Sequence, residues 1–439
     1  MPLYPHQEEA SKKALDILIN HFMVYLAMEP RAGKTLTSFD IATSYEATNV
    51  LFITKKKAIN SIARDYSKYP NIAGRPATFD LEIINYASIH KADGKYDLII
   101  IDEAHSVGAY PKPGVRCKTI KKICKGKPII FLSGTPSPES YSQLYHQFWV
   151  SSYSPWRRYR NFYKWAKDYV KVYQRTIKGY QMNQYDRAIE TKIQADVSHL
   201  FISTTQKQAG FEAQVEERFL KVKAPKVLKD MMGDLQDDWF TTCNGIQVPC
   251  NGGGDLVNKL GQLCSGTLIL PDDDDGVAIS DYKAQFIFDH FAKNKIAILY
   301  RYRAEKEIIT QFFPNYTESP EEFNERSDKT FICQIQSARE GVDLKTADAL
   351  IMFNIEYSAT SYFQARERTQ SRNKKHNTPL YWIFSDTGWE QKVYNAVSRK
   401  KNFTWSYYNK AQKTSRRKRR EKAAQMSIED LLTNSQYLM

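Results

Sequence analysis

The chain has 439 residues, 42% hydrophobic and 26% charged, which excludes a peptide module and calls for two globular domains with an appendage. No stretch approaches the roughly 18 apolar residues that span a bilayer, and the N-terminus lacks the basic start and apolar run of a signal peptide, so a cytoplasmic, reducing setting without a membrane is expected. The net charge of +14 points to an anionic partner, but eleven basic residues between Arg399 and Lys422 face only Glu421, so most of the excess sits in a tail.

Along the chain, apolar runs at Met23–Ala27, Val50–Ile53, Leu81–Ile84, Leu98–Ile101 and Ile129–Leu132 alternate with helical stretches. Several are continuously apolar, as strands of a parallel sheet covered on both faces are, so residues 1–150 read as a doubly wound α/β domain. Residues 151–215 turn to Arg, Lys, Tyr and Trp and read as a helical insertion, because Phe162, Trp165, Tyr169 and Tyr173 fall near helical spacing. Runs at Ile296–Tyr300, Phe331–Ile335, Leu350–Phe353 and Leu380–Phe384 then predict a second sheet within 216–397, and 398–439 is the basic tail. Six scattered cysteines lack the spacing of zinc knuckles and read as thiols.

Three loops carry chemistry. Met28-Glu29-Pro30-Arg31-Ala32-Gly33-Lys34-Thr35 follows the first strand and opens a helix, the setting in which backbone N–H groups cradle phosphates, Lys34 reaches the β and γ groups and Thr35 holds Mg²⁺. Met28 stands where the pattern has its first glycine. Asp102-Glu103-Ala104-His105 ends the fourth strand, where Asp102 suits Mg²⁺ and Glu103 an attacking water. Ser133-Gly134-Thr135-Pro136 follows the fifth.

In this order, Gly-Lys-Thr, Asp-Glu-Ala-His and Ser-Gly-Thr-Pro resemble the motif series of superfamily 2 helicases and translocases, in particular the Snf-type and phage-encoded branches. Tyr4-Pro5-His6-Gln7 resembles the family's adenine-reading motif, with Gln7 suited to the adenine edge. Gln336 to Leu344 is similar to its fifth motif, including Gly341 and Asp343, and Gln364 to Arg372 to its sixth. The resemblance implies two RecA-like parallel-sheet domains in tandem, with ATP and Mg²⁺ as cofactors. It also implies an arginine finger: Arg368 leads, Arg372 shares its helix face at i+4, and Arg366 is a rival. Ser133, Gly134 and Thr135 would couple ATP state to movement.

Nucleic-acid contacts implied by the family pattern are Thr54, Lys55, Tyr86 and Ser88 in the first domain and Arg301, Gln336 and Ser337 in the second. In the insertion, Arg157, Arg158 and Arg160 are set to face phosphates, while Phe162, Trp165 and Tyr169 are set to pack. The expected activity is a nucleic-acid-stimulated ATPase working as a monomeric DNA helicase or translocase on duplex, forked or single-stranded DNA, with a replication, recombination or nuclease partner. An RNA helicase, the motor subunit of a restriction or repair complex, and an ATP-binding scaffold without turnover remain alternatives.

Overall fold

The computed structural model describes residues 3–92, 95–177, 180–210, 216–271, 273, 275–338, 344, 346–358, 362 and 378–399. They form two compact units, one built on Met1–Glu216, the other on Glu217–Gln336, Thr346–Phe363 and the chain from Pro379. Among the described residues no helix is long and apolar enough to cross a membrane.

The first unit runs α1 (Pro5–His21), β1 (Met23–Met28), α2 (Lys34–Ser44), β2 (Asn49–Thr54), α3 (Ile59–Ala73), β3 (Asp80–Asn85), β4 (Leu98–Asp102), α4 (Val115–Ile123), β5 (Ile129–Leu132), α5 (Gln143–Trp149), α6 (Phe162–Tyr169), β6 (Tyr173–Ile177), β7 (Tyr180–Gln184), α7 (Glu190–Val197) and β8 (Phe201–Thr204). Its six-stranded sheet has the order β3-β2-β4-β5-β1-β8, every pairing parallel. The unbroken apolar runs have a direct explanation. Tyr25, Leu51, Ile53, Ile99, Ile101 and Phe131 enter the core on one face of the sheet, and Leu26, Val50, Phe52, Leu98, Ile100 and Leu132 enter the core on the other. Each such side chain contributes about 1.5–3 kcal/mol by leaving water, so both alternating sets must be apolar.

The stretch 151–215 differs from a purely helical insertion. It carries α6 and α7, but also the antiparallel hairpin β6–β7, and it ends in β8, which pairs with β1 from Tyr25↔Phe201 to Met28↔Thr204. Four residues of modest hydrophobicity at a sheet edge leave little periodic signal. Phe162, Trp165 and Tyr169 are buried, with the Trp165 and Tyr169 rings stacked at 5.1 Å.

The second unit contains β9 (Glu217–Val222), α8 (Lys226–Asp237), β10 (Phe240–Cys243), β11 (Ile246–Pro249), α9 (Gly253–Leu263), β12 (Thr267–Leu268), β13 (Val277–Ala278), α10 (Tyr282–Phe291), β14 (Ile296–Tyr300), α11 (Arg303–Phe312), β15 (Tyr316–Thr317), α12 (Pro320–Glu325), β16 (Thr330–Gln334), α13 (Ile335–Ala338), β17 (Ala349–Met352), β18 (Leu380–Ser385) and α14 (Trp389–Val397). Its sheet, β15-β16-β14-β17-β18-β9, is again all parallel. The two six-stranded parallel sheets with their helices are consistent with tandem RecA-like α/β domains. In this second unit, Lys283 and Glu390 form a fully buried ion pair at 2.5 Å; Lys283 Nζ also donates to Phe353 O at 3.0 Å, and Glu390 Oε2 accepts from Ser385 N–H at 2.7 Å. Those extra hydrogen bonds satisfy groups whose burial unpaired would cost several kcal/mol.

Candidate nucleotide-binding site

β1 delivers the loop 29–33 to the N-terminus of α2, whose first-turn N–H groups and dipole favour phosphate. Gly33 has φ +89°, and a Cβ there would stand 2.1 Å from Gln7 Nε2, so both backbone and space demand glycine. Arg31 adopts φ +65° without being glycine, a strain of about 1 kcal/mol or more that its surroundings must hold. The Lys34 ammonium donates to the carbonyls of Met28 at 2.9 Å and Glu29 at 3.4 Å, which keeps it at the loop. Gln7 is buried and bridges two motifs: its Oε1 accepts from Tyr4 N–H at 2.9 Å and its Nε2 donates to Gly33 O at 3.2 Å. Tyr4 is exposed, Thr35 half-buried in the first turn of α2, and Ala32 buried with its carbonyl 3.0 Å from His6 Nε2.

Asp102 closes β4, and Thr54 at the end of the neighbouring β2 donates its hydroxyl to Asp102 Oδ2 at 2.8 Å. Burial, reinforced by the Glu103 charge, pushes the Asp102 carboxyl up to about 6, against the pull of Thr54 and of the Lys34 ammonium. Glu103 then turns the chain with φ +49°. Tyr86 OH donates to the Asp102 carbonyl and lies 3.4 Å from that of Glu103, pinning this turn. His105 Nδ1 is 3.3 Å from Glu103 Oε2 and 3.1 Å from Ser133 Oγ. Burial is the main cause that lowers its pKa, so the imidazole is held neutral. Ser133 Oγ also accepts from Thr135 N–H at 3.1 Å, and Gly134 lies so close to the phosphate loop that a Cβ would be 3.2 Å from Pro30 Cδ. The three motif loops of this unit therefore form one contiguous cluster. Its lysine, hydroxyl and carboxylate fit a triphosphate with Mg²⁺, an ion usually held by phosphates, water and one or two protein oxygens.

Several expectations need correction. Thr54 and Tyr86 are buried and bonded to Asp102 and Glu103, so they support the acid pair and do not present themselves to nucleic acid. Arg301 donates to Ile355 O at 3.2 Å and Asn258 Oδ1 at 3.1 Å and packs 3.9 Å from the Tyr357 ring centroid, so its guanidinium is engaged within its own unit. Lys55 and Ser337 are half-buried and Gln336 exposed; Ser88, half-buried, accepts from Asn85 Nδ2 at 3.2 Å. Arg157, Arg158 and Arg160 are exposed. Gly341, Asp343, Arg366, Arg368, Arg372 and the tail from residue 400 lie outside the described residues.

A support that the motifs do not signal comes from the turn after β8. Glu29 N–H donates to Thr204 O at 2.9 Å, Gln206 N–H to Glu29 Oε2 at 2.6 Å, and Gln206 Nε2 to Pro30 O at 3.1 Å. This brace grips the part of the phosphate loop that lacks the first glycine. It is separated from the loop by more than 170 residues of sequence, so only the β1–β8 pairing reveals it.

Residues 1–138 match the family described as the Type III restriction enzyme, res subunit, and residues 315–373 match the Helicase conserved C-terminal domain. No curated protein matches the chain. The two family matches support a superfamily 2 helicase-type protein and indicate a helicase-like nucleic-acid motor that uses ATP.

Proposed function

We propose that the chain is a DNA-stimulated ATPase of the Snf-type or phage-encoded branch that converts ATP hydrolysis into movement along DNA. The observation that carries this reading is the contiguous cluster of Lys34, Asp102, Glu103, His105 and Ser133, in which Glu103 and the Ser-Gly-Thr loop share one imidazole. Lys34 and the N–H groups opening α2 bind the phosphates, Thr35 and Asp102 hold Mg²⁺, and Glu103 orients the attacking water. When bound there, Mg²⁺ would supply charge neutralisation to the triphosphate. Tyr4 and Gln7 sit at the adenine end, and Gln7 would exchange its present partners for the base. Arg368 and Arg372 are the proposed donors of charge to the leaving phosphoryl group, with Gly341 and Asp343 contributing to nucleotide binding. Lys55, Ser88, Gln336 and Ser337 remain proposed backbone contacts.

The match to the restriction-enzyme res subunit family favours DNA over RNA as the track, and a motor subunit working with a separate nuclease as the second reading. Phosphate release measured with duplex DNA, forked DNA, single-stranded DNA, RNA or no polymer tests both activity and track. Lys34→Ala and Glu103→Gln are expected to lower turnover by about 10²-fold or more while sparing DNA binding. Near-wild-type turnover in either variant would sink the ATPase assignment, and stimulation by RNA alone would move the track to RNA.

A further inference from the structure

The charge that remains after the tail is set aside is unevenly placed. Between Arg157 and Arg187 there are nine Lys and Arg against Asp168 and Asp186, in a stretch outside both family matches. The fold explains how that stretch displays its charge. On α6 the residues Phe162, Trp165, Ala166 and Tyr169 are buried, so Lys164 and Lys167 stand on the opposite, exposed face. The preceding turn is tied to this helix because Tyr159 OH donates to Asp168 Oδ2 at 2.6 Å and Arg158 donates to Tyr159 OH at 3.1 Å. The hairpin base is tied to it as well, through the Tyr163 and Tyr185 rings at 5.8 Å, and Lys171 N–H donates to Arg187 O at 2.9 Å. Arg157, Arg160, Lys164, Lys167, Lys171 and Arg175 are all exposed, and none forms an ion pair among the described residues.

We propose that this face of the 157–187 segment is a rail for the phosphates of duplex DNA, separate from the ATP-site motifs and from the tail. The choice of duplex rests on the rings. A surface for single strands stacks unpaired bases on exposed aromatics, whereas here Trp156, Phe162, Trp165 and Tyr169 are interior and, among the described residues of the segment, Tyr163 is the one exposed ring beside a row of exposed cations. Phosphate contacts of this kind position the polymer and carry no base sequence. The choice of DNA rests on the function proposed above.

The rail is tested in the full-length chain by anisotropy of labelled duplex DNA from 50 to 200 mM salt, with Arg157, Arg160, Lys164, Lys167 and Lys171 all changed to Ser. Each lost phosphate contact makes the log–log salt slope less negative by about 0.9, so loss of all five should reduce its magnitude by about 4.5, and the affinity drop over that salt range should shrink about five-hundredfold. A charge-keeping variant, with Lys and Arg exchanged at the same five sites, should retain the wild-type slope, and DNA-free ATPase should be unchanged in both. An unchanged slope in the Ser variant overturns the rail while leaving the motor reading intact. A slope lost equally in the charge-keeping variant, or a larger effect on single strands or duplex RNA than on duplex DNA, also overturns it. Absence of duplex binding by the wild-type chain would overturn rail and DNA track together.

Discussion

Nδ1 of His105 stands 3.1 Å from the Ser133 hydroxyl and 3.3 Å from Oε2 of Glu103. One neutral ring thus joins the acid proposed to orient water to the Ser-Gly-Thr loop. A ring that only packed would matter equally with and without DNA, whereas a coupling element matters chiefly with it. His105→Ala is expected to leave DNA-free ATPase within about threefold and to cut DNA stimulation about tenfold, inside the usual range of coupling energies. Equal losses in both rates would confine His105 to holding Glu103.

The Thr54 hydroxyl favours the charged form of Asp102 in a place where burial opposes it. Mg²⁺ needs the carboxylate, so kcat/KM for ATP should fall as pH drops through about 6. Thr54→Val removes the donor at nearly constant volume, which raises the carboxyl further and should move the acid limb up by about one pH unit. ATP itself titrates in this region, and the comparison of variant with wild type cancels that contribution. A limb that stays in place would remove Thr54 from the support of Asp102.

Gln206 acts on the phosphate loop through Glu29 and Pro30 and touches no reacting atom, so it is a positioning residue. Gln206→Ala deletes the side-chain bond to Pro30 O. The KM for ATP should rise about five- to tenfold, roughly the 1–1.5 kcal/mol of one hydrogen bond, with kcat little changed. Gln206→Asn, shorter by one methylene, should recover only part of this. A fall in kcat at constant KM would contradict a role in loop positioning.

His146 on α5 is buried, and its Nδ1–H donates to Ala109 O at 2.6 Å. Burial, aided by the nearby Lys121 charge and opposed by the Ala109 bond, pushes its pKa down to about 4. A depressed histidine leaves the unfolded chain binding the extra proton below its ordinary value near 6.5. Its contribution to stability is therefore complete above about 6.5 and is lost as pH falls towards 4. Urea unfolding should show a loss of about 2 kcal/mol between pH 7 and 4.5 that is absent in His146→Gln. Parallel pH profiles in the two proteins would rule this residue out as the cause.

The sequence by itself determined the features that depend on local chemistry. Runs such as Leu98–Ile101 announce a strand buried on both faces because both alternating sets must leave water, and Gly33-Lys34-Thr35 and Asp102-Glu103 announce themselves because few other residue types serve phosphate and Mg²⁺. Tertiary structure alone decided what depends on partners distant in the chain. Thr54 and Tyr86 look like surface contacts at strand ends until the register of β2 against β4 turns Thr54 onto Asp102 and the fold brings Tyr86 OH to the Asp102 carbonyl. Arg301 looks free until Tyr302, Tyr357 and Asn258 close around it. β8 and Gln206 carry no local signature, since their meaning lies in pairing with β1 and in hydrogen bonds to Glu29 and Pro30. Periodicity records which residues avoid water, whereas register decides which buried polar groups meet, and that pairing sets which side chains can serve the site.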